Sequence, residues 1–123
     1  MNVLVIGAGE YVTGLSSSTG APTGSDKSVG VAALAAFDLR ARGRVERVAL
    51  CARDGARFED VRRHFAANIT ARYGLDASFD AYPSTPTRDD DAALTAIARA
   101  APGDAALVFT PDMIAVIMPA ESG

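Results

Sequence analysis

Apolar residues along this chain fall into two alternating patterns. Short unbroken runs, Val3-Leu4-Val5-Ile6, Val48-Ala49-Leu50 and Ala105-Ala106-Leu107-Val108-Phe109, read as strands covered on both faces, as in a parallel sheet. The second run sits inside a strand expected over 45–52, and a weaker strand is expected over 77–82, closed by Pro83. Between the runs, apolar residues recur at helical spacing. One helix is expected over 29–42, with Val29, Ala33 and Phe37 in one stripe, Gly30 and Leu34 beside them, and Gly43 as the residue that ends it. A second is expected over 56–73, with Phe58, Val61, Phe65, Ile69 and Tyr73 inward and Gly74 as the stop. A third is expected over 92–101, with Leu94, Ile97 and Ala98 inward and Pro102-Gly103 behind it. Arg53-Asp54-Gly55 is a turn, and 83–91 is a polar loop with two prolines.

The order β-α-β-α-β-α-β predicts an α/β fold: a Rossmann-like, doubly wound parallel sheet, N-terminal half, with strands ordered 3-2-1-4 in space. Such a sheet takes its ligand beyond the carboxyl ends of strands 1 and 4, where the strand order switches. Composition fits one domain: 123 residues, 49% apolar and 22% charged. A net charge of −3 points to neither nucleic acid nor an anionic membrane as partner, and the scattered arginines read as a solvated face. Cys51 is the only cysteine, so one chain can form neither a disulfide nor a cysteine-based zinc site. No signal-peptide pattern and no apolar run of bilayer length is visible, so the expected location is cytoplasmic.

Strand 1 runs straight into Gly7-Ala8-Gly9-Glu10-Tyr11-Val12-Thr13-Gly14. Glycine in this turn removes the Cβ that would hold a phosphate away from backbone N–H donors. Gly7 and Gly9 match the first two positions of G-x-G-x-x-G, but Val12 stands in the third and the next glycine is Gly14. Two readings remain, a nucleotide site or a tight structural turn. The long gap to the helix is expected to hold a short helical turn over 10–13 and then an excursion across the site, with N–H groups clustering again at Ser25 to Ser28. A rival motif, Gly20-Ala21-Pro22-Thr23-Gly24-Ser25-Asp26-Lys27-Ser28, is like a P-loop. Asp26 there replaces the required glycine and would repel phosphate, and strand 1 ends far upstream.

Strand 2 ends Leu50-Cys51-Ala52-Arg53, with Arg57 one turn into the next helix. An arginine at this place attracts a 2′-phosphate, whereas an acidic residue accepts from a 2′-hydroxyl. Arg53 therefore favours NADP over NAD. Asp54 beside it argues the other way, and Arg53 and Arg57 also read as ordinary surface residues.

Gly-Ala-Gly-Glu-Tyr-Val-Thr-Gly, then Ser25-Asp26-Lys27-Ser28-Val29-Gly30-Val31, Phe37-Asp38-Leu39-Arg40 and Val108-Phe109-Thr110-Pro111-Asp112, resemble the nucleotide-binding domain of the glucose–fructose oxidoreductase / inositol dehydrogenase / MocA family. Within it the likeness is to the D-galacturonate reductase branch, and it reaches to about Asp112. The resemblance implies an NAD(P)-dependent oxidoreductase of sugars, sugar acids or polyols. It implies dinucleotide contacts from Gly7, Gly9, Glu10, Tyr11, Thr13 and Gly14, and nicotinamide-side contacts from Thr110 and Pro111. Thr110 can cap a helix, with Pro111 in its first position.

The departures from that family concern the chemistry. Its members continue past Thr-Pro with a histidine, a helix, a further strand, a Glu-Lys-Pro-like motif whose lysine is catalytic, and a second domain. Here no lysine follows Lys27, and the one histidine, His64, lies in the second helix, where a structural or solvent-facing role is expected. No catalytic residue is assigned, and the chain alone is expected to have no dehydrogenase activity. Cys51 reads as a small buried side chain. Asp89-Asp90-Asp91 reads as acids near a helix start, since consecutive carboxylates do not converge on one ion, and no metal site is assigned. Residues 1–112 thus read as the dinucleotide-binding domain, and 113–123 as a short apolar tail, truncated or divergent. Strand 4 is then an apolar exposed edge, prone to self-association, unless the tail folds back on it as a poor substitute helix or strand. The alternatives are a non-catalytic nucleotide-binding module and a P-loop phosphotransferase.

Overall fold

The computed structural model describes residues 1–7, 10–13, 31–99, 104–110 and 113–117. Its elements are β1 (Val3–Ile6), α1 (Glu10–Thr13), α2 (Val31–Ala41), β2 (Val48–Cys51), α3 (Arg57–Phe65), a π-helical segment (Ala66–Thr70), α4 (Ala71–Tyr73), β3 (Asp80–Tyr82), α5 (Ala92–Ala98), β4 (Ala105–Thr110) and β5 (Met113–Ile117). The fold is α/β. Five strands form one sheet in the order β3-β2-β1-β4-β5. The first four are parallel, with Val3 opposite Val48 and Ala105 across β1's two ladders, so β1 is central.

Alternation along the strands divides the core. Val3, Val5, Val48 and Leu50 face α1, α2 and α3 together with Phe37, Phe58, Val61, Phe65 and Ile69. Leu4, Cys51 and Ala106 face α5. Successive side chains of a strand point to opposite faces, so helices cover both sides of the sheet. That is why β1, and β4 as far as Phe109, are unbroken apolar runs.

Helix ends follow the local chemistry. Gly43 has φ +75°, donates its N–H to the Arg40 carbonyl, and lets Arg44 N–H reach back to Leu39. This paired arrangement closes α2. The helix over 57–73 is continuous in backbone conformation through the π-helical segment and stops at Gly74, φ +71°. At the amino ends of the strands, Asn2 ties three elements together. Its side-chain oxygen accepts from Arg47 N–H, its own N–H donates to Asp104 Oδ1, and its carbonyl accepts from Ala105 N–H.

Several expectations are corrected. Leu94 (68% exposed), Ile97 (42%) and Ala98 do not point inward; α5 buries Ala92 and Ala96 instead. The facing surface is built of Ala49, Ala106, Cys51 and Leu4, and the small side chains of Ala92 and Ala96 are the ones turned to it. Tyr73 lies one turn beyond Ile69, the last core residue of its helix. It is 48% exposed, with the Arg72 guanidinium 5.5 Å from its ring. The strands expected over 45–52 and 77–82 shorten to Val48–Cys51 and Asp80–Tyr82, although Val45 and Phe79 stay buried. Residues 113–117 are part of the sheet rather than a separate tail. β5 runs antiparallel to β4, from Thr110↔Met113 to Ala106↔Ile117, so the edge of β4 anticipated as exposed is paired.

Arginines also hold the segment around β3, the opposite edge of the sheet. Arg40 donates to the carbonyls of Ser78 and Asp76, and Arg62 to that of Phe79 while lying 4.1 Å from the centre of its ring. Carbonyls that no neighbouring strand reaches are thereby satisfied.

Candidate functional site

At the carboxyl end of β1 the backbone turns at Gly7, whose φ is +121°. That region excludes residues with a Cβ almost entirely, so the chain can make this turn only with glycine. Gly7 N–H continues the ladder by donating to the Cys51 carbonyl at 2.7 Å. α1 opens three residues later at Glu10, as the expected short helical turn. Ile6 pairs with Cys51 on one side and with Val108 on the other. Arg53 therefore follows β2, and Thr110 ends β4, at the same end of the sheet as Gly7.

The other expected contacts divide. Thr13 is fully buried beside Val12, so its hydroxyl lies inside the fold rather than on a ligand-facing surface. Gly9, Gly14 and Pro111 lie outside the described residues, as do the side chains of Glu10, Tyr11 and Thr110 and the rival motif over 20–28. Among the described residues Thr110 is followed by a strand rather than a helix: it pairs with Met113 in the β4–β5 ladder, which replaces the helix-capping role anticipated for it.

The β2–α3 turn is fastened to the loop over 83–91. Asp89 N–H donates to the Arg53 carbonyl at 2.7 Å and Gly55 N–H to that of Thr87 at 2.9 Å, and Asp54 forms an isolated bridge with Arg88. Asp54 Oδ1 accepts from Ala56 N–H at 3.0 Å, so its carboxylate serves the turn. The Arg53 side chain is exposed and has no ion-pair partner among the described residues. Burial lowers the Arg57 guanidinium from its ordinary value, opposed by the charges of Asp60 and Asp54. Gly55 was not singled out from the sequence as more than a turn residue, yet a Cβ there would strike the Thr85 carbonyl oxygen and come within 3.0 Å of Pro83 Cγ. The Asp-Gly pair was the available signal, but the approaching loop was not readable.

His64, Asp89, Asp90 and Cys51, singled out in the sequence, have structural surroundings. His64 is 8% exposed, and its Nδ1 and its carbonyl each accept from the Asn68 amide at 3.0 Å. A nitrogen that accepts leaves the ring proton on Nε2. Asp89 Oδ1 accepts from Asp91 N–H, and Asp90 pairs with Arg88 at 3.1 Å, so these carboxylates have separate partners. Cys51 is 2% exposed; burial, with a smaller contribution from the Asp89 charge, pushes its thiol from 9.0 up to about 11. The neutral thiol is the form the fold prefers. Its contribution to stability is therefore complete below pH 9 and is lost as pH rises through about 11. A thiol-specific reagent near pH 8 is expected to leave Cys51 unmodified in the folded protein and to react after unfolding. Equal rates in the two states would contradict this burial. No helix among the described residues is long and apolar enough to cross a membrane.

Comparison of the chain with protein-family models, curated proteins and solved structures returns no match.

Proposed function

We propose that this chain binds a dinucleotide, NADP in preference to NAD, across the carboxyl ends of β1 and β2, and serves as the nucleotide-binding part of an NAD(P)-dependent oxidoreductase acting on a sugar, sugar acid or polyol. The observation that carries the reading is Gly7. It holds a glycine-only backbone at the end of the central strand, where β2 lies on one side and β4 on the other. Such a point is where open α/β sheets take their ligands, and the Rossmann-like doubly wound reading rests on this strand order. A pyrophosphate suits a turn with no Cβ, and the exposed Arg53 guanidinium suits a 2′-phosphate. The Asp54 carboxylate spends one oxygen on Ala56 N–H, which weakens its claim on a ribose hydroxyl. The cofactor would supply the hydride chemistry, while the chain's own residues bind and orient it. A cytoplasmic setting belongs to the same proposal.

Calorimetric titration with NADPH, NADH and ATP is the test. NADPH is expected to bind more tightly than NADH. Arg53→Asp is expected to reduce or reverse that preference by about 1.5–3 kcal/mol, the size of one charge-assisted hydrogen bond. A clear NADH preference in the native chain, or ATP binding in place of both, overturns the reading.

One observation favours a second reading, a nucleotide-binding module without catalysis. After Thr110 the chain enters β5 antiparallel to β4, where the resembled oxidoreductases place a helix and then their catalytic lysine. Absence of sugar-acid or polyol turnover by the purified chain, combined with dinucleotide binding, is expected on both readings, and turnover would overturn the second.

A further inference from the structure

At the opposite ends of the strands, two cavities meet. A cleft of about 140 Å³ lies between α5 and the sheet, with Leu4, Ala49, Ala96, Ile97 and Ala106 as its apolar wall and Asn2 and Asp104 also on its lining. An open groove of about 630 Å³ runs along the β3 edge. Arg47, Asp80, Tyr82 and Arg99 line both. Arg47 stands just before β2, Asp80 opens β3, and Arg99 follows α5, so the junction lies toward the amino ends of the strands, away from Gly7. The Arg99 guanidinium is 5.7 Å from the Tyr82 ring centre. The backbone of Arg47 is fixed through Asn2 Oδ1. None of the side chains of Arg47, Arg99 and Asp80 has an ion-pair partner among the described residues.

We infer that this junction binds a free apolar α-amino acid: its carboxylate between Arg47 and Arg99, its ammonium on Asp80, and its side chain in the cleft under α5. Charge complementarity selects this class. Two guanidinium groups alone would call for a simple anion, but Asp80 at the same mouth and Asp104 on the cleft wall, which accepts from Asn2 N–H, would repel it, and a zwitterion answers both signs. The cleft decides the side chain. Its size is close to that of an apolar cavity able to hold one benzene ring, so a branched aliphatic group fits. The alanines at 49, 96 and 106 leave the space, because larger residues would fill it.

The test is a titration of the labelled full chain followed by amide chemical shifts, with four probes taken to tens of millimolar. L-Leucine carries both charges and the side chain. 4-Methylpentanoate lacks the ammonium, 3-methylbutylamine lacks the carboxylate, and glycine lacks the side chain. Leucine is expected to shift the amides of Ala49, Arg99 and Ala106 with a dissociation constant on the order of millimolar, and the other three to bind several-fold more weakly. Arg47→Gln and Arg99→Gln are each expected to weaken leucine about tenfold, the scale of a charge-assisted contact. Asp80→Asn is expected to weaken leucine without weakening 4-methylpentanoate. These three positions are exposed, so the variants are expected to keep the native spectrum. Absence of leucine shifts overturns the site. Equal binding of 4-methylpentanoate overturns the role of Asp80, and equal binding of glycine overturns that of the cleft. None of these outcomes bears on NADPH, which is tested at the other end of the sheet.

Discussion

Replacement of Phe65 by alanine is expected to destabilise the protein by about 3–5 kcal/mol, the cost of removing a fully buried aromatic side chain and leaving its cavity. Phe65 is 1% exposed. Its ring meets that of Phe37 edge-on at 5.4 Å and that of Phe79 at 5.7 Å, and Phe79 in turn lies 5.8 Å from Phe58. One side chain thus joins α2, α3 and the segment leading into β3. Small domains have only about 5–15 kcal/mol of total stability, so this loss takes a large share of the reserve. Urea unfolding followed by circular dichroism is the measurement. Phe65→Leu, which keeps most of the volume, is expected to cost much less. Equal losses for the two variants would show that edge-on ring contact, rather than volume, holds this part of the core.

Gly55→Ala is expected to cost about 3 kcal/mol, at the upper end for an overpacked site. The added methyl would meet the Thr85 carbonyl oxygen, a backbone atom, so no side-chain rotation relieves the clash. Either the loop over 83–91 shifts or the β2–α3 turn does, and both are joined by the Gly55–Thr87 and Asp89–Arg53 hydrogen bonds. Arg53 stands on that turn. On the proposed function, the variant is therefore expected to weaken NADPH binding as well as stability, whereas Phe65→Leu is expected to leave binding intact. A lowered unfolding midpoint is the first readout, and faster amide exchange at Gly55 and Asp89 the second. Unchanged exchange at both amides would mean that the turn and the loop are not mechanically joined.

Much of the fold was written locally. Val3 to Ile6 and Ala105 to Phe109 read as doubly covered strands because every residue in them is apolar, and both lie inside the sheet. Gly43 and Gly74 read as helix stops because a left-handed backbone needs glycine, and both have positive φ. Phe58, Val61, Phe65 and Ile69 read as one stripe because 3.6-residue spacing aligns them, and all four are buried. The candidate site was legible where backbone geometry depends on a single residue, at Gly7. It was less so where a side chain's surroundings matter, at Thr13 and Asp54.

What only the tertiary structure decided depends on partners distant in sequence. α5 turned its alanines to the sheet, and no periodicity within 92–98 reports the size of residues at 4, 49 and 106. β5 exists because an apolar segment lies beside the open ladder of β4, and backbone hydrogen-bonding groups there gain partners. The requirement for glycine at 55 comes from the Thr85 carbonyl, thirty residues away. Local propensity and periodicity are properties of neighbours along the chain, and they set the elements and their ends. Burial depth, close approach and the pairing of charges are properties of neighbours in space, and they set which residues are left to bind.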